Sequence, residues 1–573
     1  MTPILKKLPI FILAAANLYG AAIASNEPTV AAIPIEKLGS RGAVVPFVEL
    51  EAENAETNGQ VIGPDRTFGT LPAEASGRKA VLLQRKGDFV EFTLTRSANA
   101  VTVRYSVPDS ADGRGLSSTL GLYANGRRLS AINMTSRYGW FYGSYPFSNN
   151  PADGGAHHFY DESRLLLGQT LPAGTKVRVL KAAQDDAPWY VIDLADFELV
   201  PPPKIPPDDA VPITAFGADP TGRNNSWAAI KKAVTAGQKR RVPVWIPPGV
   251  FRVDGHILVD RVTIAGAGLW HSTIRGDGAG FYGRKAPQQS HAVVLRDFSI
   301  IGEVTERLDK AQLAGIGGTI GGESLIEDLW IQHHKVGVWL DGPLHGVTIR
   351  RLRILDHTAD GLNLRGGVTN AVVEQNFVRN TGDDGLAMWS HHTLNKNSVF
   401  RNNTVVAPML ANGIAIYGGA DLKVTGNVVA DTVTQGGGIH LGNRFDAKPL
   451  TGRIDVSNNL IVRAGSFDPN WKFGVGALWF YALDHPISAT VEVRDMEIVD
   501  STLPALHFIG KAITGVAFEN VRISGTGSDP VQIQSPGAAK FRGVVASGTK
   551  PEPNHCDSRF RVTDEGQNLG WDC

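Results

Sequence analysis

A glycine followed by alternating apolar residues recurs through the second half of this chain, and that recurrence limits the folds open to it. The marker stands at Gly315, Gly337, Gly361, Gly385, Gly413, Gly438 and Gly476, with gaps of 22, 24, 24, 28, 25 and 38 residues. A second file of strand-like runs lies between the markers, at 347–349, 371–374, 422–424 and 453–456. A third is marked by Asn376, Asn403, Asn427 and Asn459. About three short strands per repeat is the pattern of a parallel β-helix. A β-propeller needs longer repeats, and the leucine pattern of a leucine-rich solenoid is missing. The expected fold is all-β, with a right-handed parallel β-helix over 211–545.

In a solenoid, equal slots of successive coils stack about 4.8 Å apart. Leu362, Leu364, Leu386, Met388, Ile414, Ile416, Ile439 and Leu441 share one parity and are expected inside. The outward files are then Trp339, Asn363, Ala387, Ala415, His440 and Asp341, Arg365, Trp389, Tyr417, Gly442. Trp389 and Tyr417 offer flat faces suited to sugar rings, or to packing beneath a loop. Asn363, Arg365, His440 and Trp479 complete the expected substrate-binding set.

Asp360 and Asp384 fill one slot of the repeat, each just before a marker glycine, and Asp383 adjoins the second. Strict alternation would turn Asp360 and Asp384 inward, which is costly for a carboxylate. A bend at Asp-Gly, permitted by glycine, is expected to turn them out. Three clustered carboxylates repel, so one holds its proton more tightly. That suits a general acid working beside a base, as in single-displacement glycoside hydrolysis. A calcium-binding turn or plain Asp-Gly turn chemistry would use the same residues.

Before the solenoid, runs such as 47–53, 89–94, 101–105, 176–180 and 190–194 alternate between Gly, Asp and Pro turns. This predicts an antiparallel β-sandwich over 47–200, closed by a proline-rich linker at 201–210. Residues 227–236 have helical spacing and could cap the solenoid. Residues 1–24 read as a signal peptide, with Lys6 and Lys7 before an apolar run and a cleavage site near Ala24. That predicts a secreted protein, with 25–46 as a linker. The two cysteines, Cys556 and Cys573, are expected to close the tail at 546–573 as a disulfide. Lys plus Arg and Asp plus Glu both total 56. A balance of zero does not point to nucleic acid or an anionic membrane, both of which favour a basic surface.

The motifs Thr-Ala-Asp-Gly (358–361) and Thr-Gly-Asp-Asp-Gly-Leu-Ala (381–387) resemble glycoside hydrolase family 87, the bacterial α-1,3-glucanases and mycodextranases. Phe-Gly-Ala-Asp-Pro-Thr-Gly (216–222) is similar to the opening of pectate-lyase-like β-helices. The sandwich, with Glu-Leu-Glu-Ala-Glu (49–53) and Asp-Leu-Ala-Asp-Phe-Glu (193–198), resembles a carbohydrate-binding module of the family 6/35 type. The resemblance implies that Asp360, Asp383 and Asp384 are catalytic and that the anomeric configuration inverts. Asp383 is assigned as the acid, with Asp360 and Asp384 sharing a water. It further implies no catalytic cofactor, a structural Ca2+ held by Glu51, Glu53 and Asp196, and a neutral α-glucan as the partner of a monomer. The sandwich aromatics Trp140, Tyr142, Trp189 and Tyr190 either bind glycan or pack. A polygalacturonase is the first alternative, but the Arg-x-Lys that grips uronates is missing. A non-catalytic glycan-binding β-helix is the second.

Overall fold

The structure, a computed structural model, describes residues 40–145, 147–469, 472–549 and 555–573. The expected signal peptide lies outside the described residues. Among those residues no helix is long and apolar enough to cross a membrane.

The sandwich pairs two antiparallel sheets. One runs Gln60–Ile62, Ala80–Leu83, Tyr190–Glu198, Ala98–Ser106, Asp161–Leu171, with Phe47–Glu51 also on Tyr190–Glu198. The other runs Glu56–Thr57, Phe89–Thr93, Lys176–Leu180, Ser117–Ala124, Arg127–Thr135. Alternating residues such as Val90, Phe92, Leu120, Leu122, Val177 and Val179 fill the space between them. Trp140 and Trp189 pack against Phe159 and Tyr160, while Tyr142 and Tyr190 are buried, so these four aromatics pack the module.

The solenoid stacks its coils into a 22-stranded and an 11-stranded parallel sheet. The glycine-marked strands form the smaller sheet, in the register Val338, Leu362, Leu386, Ile414, Ile439, Leu478. Ala477, not Gly476, therefore fills the slot of Gly438. The expected inward side chains, Leu362 to Leu441, are fully buried. The marker glycine is needed for space. A Cβ on Gly361 would lie 2.5 Å from the Gly385 carbonyl, and one on Gly385 would lie 2.3 Å from a Val405 methyl. The asparagine file forms a ladder inside the coils. Asn376 Nδ2 donates to Asn403 Oδ1 (2.9 Å), Asn403 to Asn427 (3.0 Å) and Asn427 to Asn459 (3.0 Å).

Helix Trp227–Arg240 seals the first coil with Ile230, Ala233 and Val234. The solenoid also runs past the expected end at 545. Strand Gly537–Thr549 crosses it, and Phe560–Asp564 pairs in parallel with Gly537–Phe541. Cys556 and Cys573 are disulfide-bonded, their Cα atoms 5.8 Å apart. Residues 40–46, expected as linker, lie across the solenoid, where Gly42 N–H donates to the Gly426 carbonyl (2.7 Å) and Ala43 packs near Trp330.

Buried charges join the two units. Arg379 of the solenoid binds Glu162 (2.6 Å), Glu49 (2.7 Å) and Asp196 (2.7 Å) of the sandwich. Arg353 binds Glu198 at 2.7 Å, and His333 binds Asp161 at 2.7 Å. A guanidinium offers enough donors to satisfy three carboxylates at once, which makes such a buried site tolerable.

Candidate active site

Asp360 and Asp384 precede strands Leu362–Arg365 and Leu386–Trp389, in bends outside the regular ladder. The stacking of these coils, together with Asp383, places oxygens of Asp360, Asp383 and Asp384 within 4.8 Å of one another. Asp360 and Asp383 are half-buried and Asp384 is buried. None belongs to the apolar interior.

Each carboxylate has its own partners. Asp384 Oδ1 accepts from the backbone N–H (2.9 Å) and side-chain amide (2.8 Å) of Asn412, and Oδ2 accepts from the Tyr417 hydroxyl (2.8 Å). Asp360 accepts from Asn363 Nδ2 at 3.1 Å. Asp383 is bound by Arg307, whose other terminal nitrogen donates to the Gly382 carbonyl at 2.8 Å. Burial, then the charges of Asp383 and Asp384, push Asp360 well above the usual carboxylate range. Burial and Asp383 push Asp384 up to about 7, against the pull of Asn412 and Tyr417. Because the groups are this close, their protons belong to the cluster.

The outward files do not form an open platform. His440 and Trp479 are fully buried and stacked, with centroids 4.0 Å apart. Arg444 lies over Trp479 and Tyr417, and Phe445 packs edge-on against Tyr417. Of the two readings open for Tyr417, packing beneath a loop is the one observed, and the burial of His440 and Trp479 corrects the expectation that they line an open substrate-binding face. Tyr417 instead touches the cluster through its hydroxyl. Trp389 stays half-buried, its indole N–H donating to the Phe445 carbonyl (2.9 Å) and Arg365 lying over its ring (5.3 Å). Arg365 also pairs with Asp341 at 3.2 Å. Asn363 acts on Asp360 itself.

Asn412, Arg307 and Lys335 were not singled out from the sequence. Asn412 had a signal, since it precedes Gly413 in the slot that Asp360 and Asp384 fill two coils and one coil earlier. Arg307 arrives from the 302–313 loop and had none. Lys335 donates to the Asp309 and Ala311 carbonyls of that loop (2.9 and 2.5 Å), and burial lowers it to about 8.

The expected calcium set does not converge. Asp196 gives Oδ2 to Arg379 and keeps a buried Oδ1 without a hydrogen-bond partner, but among the described residues Glu51, Glu53 and Asp196 do not form a group of ligand oxygens gathered within 4.8 Å. Glu51 accepts from the Ser76 hydroxyl at 2.8 Å. Each of Glu51 and Glu53 likewise keeps one buried oxygen without a hydrogen-bond partner.

The family model for the α-1,3-glucanase catalytic domain D1 matches residues 44–200, and the model for domain D2 matches 225–451. Among solved structures, the chain is 42% identical to the catalytic unit of the thermostable GH87 α-1,3-glucanase from Streptomyces thermodiastaticus strain HF3-3. That match covers 93% of this chain and 98% of the other, with a TM-score of 0.84. It is 25% identical to a GH87 α-1,3-glucanase catalytic domain in complex with nigerose, over 92% of this chain and 100% of that one, with a TM-score of 0.78. An aspartate-to-alanine variant of a GH87 catalytic domain in complex with tetrasaccharides is also 25% identical, over the same shares, with a TM-score of 0.81. Comparison with the curated proteins gave no match. With two thirds of its length under the D1 and D2 models and a 42% identical relative along nearly all of it, this chain is a glycoside hydrolase and belongs to family 87, the α-1,3-glucanases.

Proposed function

We propose that this chain hydrolyses the α-1,3-glucosidic bonds of α-1,3-glucan by a single displacement that inverts the anomeric carbon. Asp360 and Asp384 hold a water, and Asp384 takes its proton as the water oxygen attacks C1. Asp383, beside them and more open than Asp384, gives a proton to the departing glycosidic oxygen. The observation that carries this reading is the meeting of three carboxylates within 4.8 Å at one edge of the solenoid. In solved relatives studied with nigerose or tetrasaccharides, the aspartates replaced by alanine lie 23 residues and then one residue apart, the spacing of Asp360, Asp383 and Asp384.

A separation this short is usual for enzymes that form a glycosyl ester, since inverting pairs commonly stand about 6.5–9.5 Å apart. Here Asp384 is buried with both oxygens already accepting hydrogen bonds, which suits it to hold a water rather than bond to a sugar carbon. The cations at the cleft are committed too: Arg307 to Asp383, Arg365 to Asp341 and Lys335 to carbonyls. That favours a neutral glycan over polygalacturonate.

Reducing-sugar release from α-1,3-glucan, nigeran and polygalacturonate, with NMR of the first-formed anomer, tests the reading. α-1,3-Glucan should be cleaved to the β-anomer, and Asp383→Asn should lose about 10²–10⁴-fold in rate. Release from polygalacturonate alone, or a first-formed α-anomer, rejects it.

A polymeric substrate outside the cell, the leader-like residues 1–24 and the disulfide support export; N-terminal sequencing of the mature protein should begin near Ala24. The partnerless buried oxygens of Glu51 and Glu53 support a structural Ca2+ held by this pair. EDTA should then lower Tm in the native protein and leave a Glu51→Gln, Glu53→Gln variant unmoved.

A further inference from the structure

The loop at 302–313 leaves the solenoid and is held against the catalytic cluster from both units. From the sandwich, the Tyr145 hydroxyl donates to Asp309 Oδ2 (2.6 Å), and Asn149 Nδ2 donates to the Thr305 carbonyl (2.5 Å). Arg137 pairs with Glu303 at 3.9 Å. From the solenoid, Lys335 donates to two loop carbonyls, and the Tyr282 hydroxyl donates to the Gln312 carbonyl (3.1 Å). The residue presented by this scaffold is Arg307. Its Nε donates to Asp309 Oδ1 (3.0 Å), the Tyr145 ring lies 5.0 Å from its guanidinium carbon, and its terminal nitrogens reach Gly382 and Asp383. The Arg307 side chain is 6% exposed, although the loop runs along the surface.

We propose that Arg307 is a positioning residue for Asp383, and that the sandwich sets its place through Tyr145, so that this domain takes part in the chemistry and not only in stability. The proposal rests on the reading of Asp383 as the proton donor. A guanidinium anchored at Gly382 and Asp383 together fixes the carboxyl relative to its own backbone. Tyr145 and Asp309 remove the rotamer freedom that would let the arginine swing away. The charged and titratable groups around Asp383 are Arg307 and Asp309 from the loop, Tyr145 from the sandwich, Lys335, Asp360 and Asp384 from adjacent coils, and Tyr417 beside Asp384. Arg307 is the cation in direct contact.

The test compares Arg307→Ala, Arg307→Lys, Tyr145→Ala and Tyr145→Phe on soluble α-1,3-gluco-oligosaccharides, with Tm measured in parallel. Arg307→Ala should lower kcat about tenfold or more with little change in KM. Arg307→Lys should restore part of the loss. Tyr145→Ala should lower kcat in the same direction by less, and Tyr145→Phe by less again. The 13C carboxyl resonance of Asp383 at fixed pH should move in Arg307→Ala without turnover. Wild-type kcat in Arg307→Ala, or losses that follow Tm alone, overturn the proposal. A wild-type enzyme inactive on α-1,3-glucan defeats the functional reading instead, and the NMR comparison still judges the positioning role.

Discussion

Asn412 gives two hydrogen bonds to the same oxygen of Asp384, one from its backbone at 2.9 Å and one from its side chain at 2.8 Å. The amide cannot flip without loss. Its own oxygen accepts the Trp479 indole N–H (2.8 Å) and the Gly437 N–H (3.0 Å), so its nitrogen must face the carboxylate. Buried Trp479 thus reaches the cluster through one intermediate.

Replacing this donor by an acceptor should be worse than deleting it. Asn412→Asp puts a fourth acid beside Asp384, and a drop in kcat of about 10²-fold or more is expected; Asn412→Ala, which keeps the backbone donor, should lose about tenfold. Steady-state kinetics on α-1,3-gluco-oligosaccharides separate the two. Equal losses would remove the charge argument.

Tyr417→Phe should change the pH profile more than the fold. The hydroxyl donates to Asp384 and favours its charged form, so its loss raises Asp384 above its present value of about 7. A base works above its pKa and is lost as pH falls through it. The acid limb should therefore move to higher pH while the alkaline limb stays. A displacement toward lower pH contradicts this arrangement.

Arg379→Met removes the cation that satisfies Glu49, Glu162 and Asp196. Breaking a buried pair from one side costs about 3–5 kcal/mol. Three stranded acids place this variant at or above that range, and calorimetry should show a clear fall in Tm. A quadruple variant carrying Glu49→Gln, Glu162→Gln and Asp196→Asn with Arg379→Met should recover part of the loss.

Asn427→Ala interrupts the ladder in mid-stack. It strands the Asn403 amide and backbone N–H, which donate to Asn427 Oδ1, and takes the side-chain donor from Asn459 Oδ1, which keeps only the residue 427 backbone N–H. Each stranded buried group costs about 1–3 kcal/mol. Denaturant unfolding should show a loss of at least about 2 kcal/mol, with activity retained in the surviving folded fraction.

The repeat made the solenoid legible. Period and parity placed Leu362 through Leu441 inside, and the shared slot aligned Asp360 with Asp384, because stacking turns sequence spacing directly into neighbours. The bend at Asp-Gly was also readable, since an inward carboxylate is too costly to keep. The surroundings of the cluster were not. Arg307 and Tyr145 come from loops 76 and 238 residues before Asp383, and no periodicity relates them to it. The burial of His440 and Trp479 depends on where the Arg444–Phe445 loop folds. The turn of Asp196 toward Arg379 depends on how two domains dock. Each is decided by packing between segments whose local patterns are independent.

The paired charges sealed between sandwich and solenoid have an architectural cost. Neither face can meet water alone without uncovering ionised groups chosen for one matching surface, so the halves are poor candidates for exchange with other modules. Excising the smaller half to make a minimal enzyme should yield a sticky, incomplete fragment, and heating the intact chain should produce one melting event where two compact bodies might have suggested two.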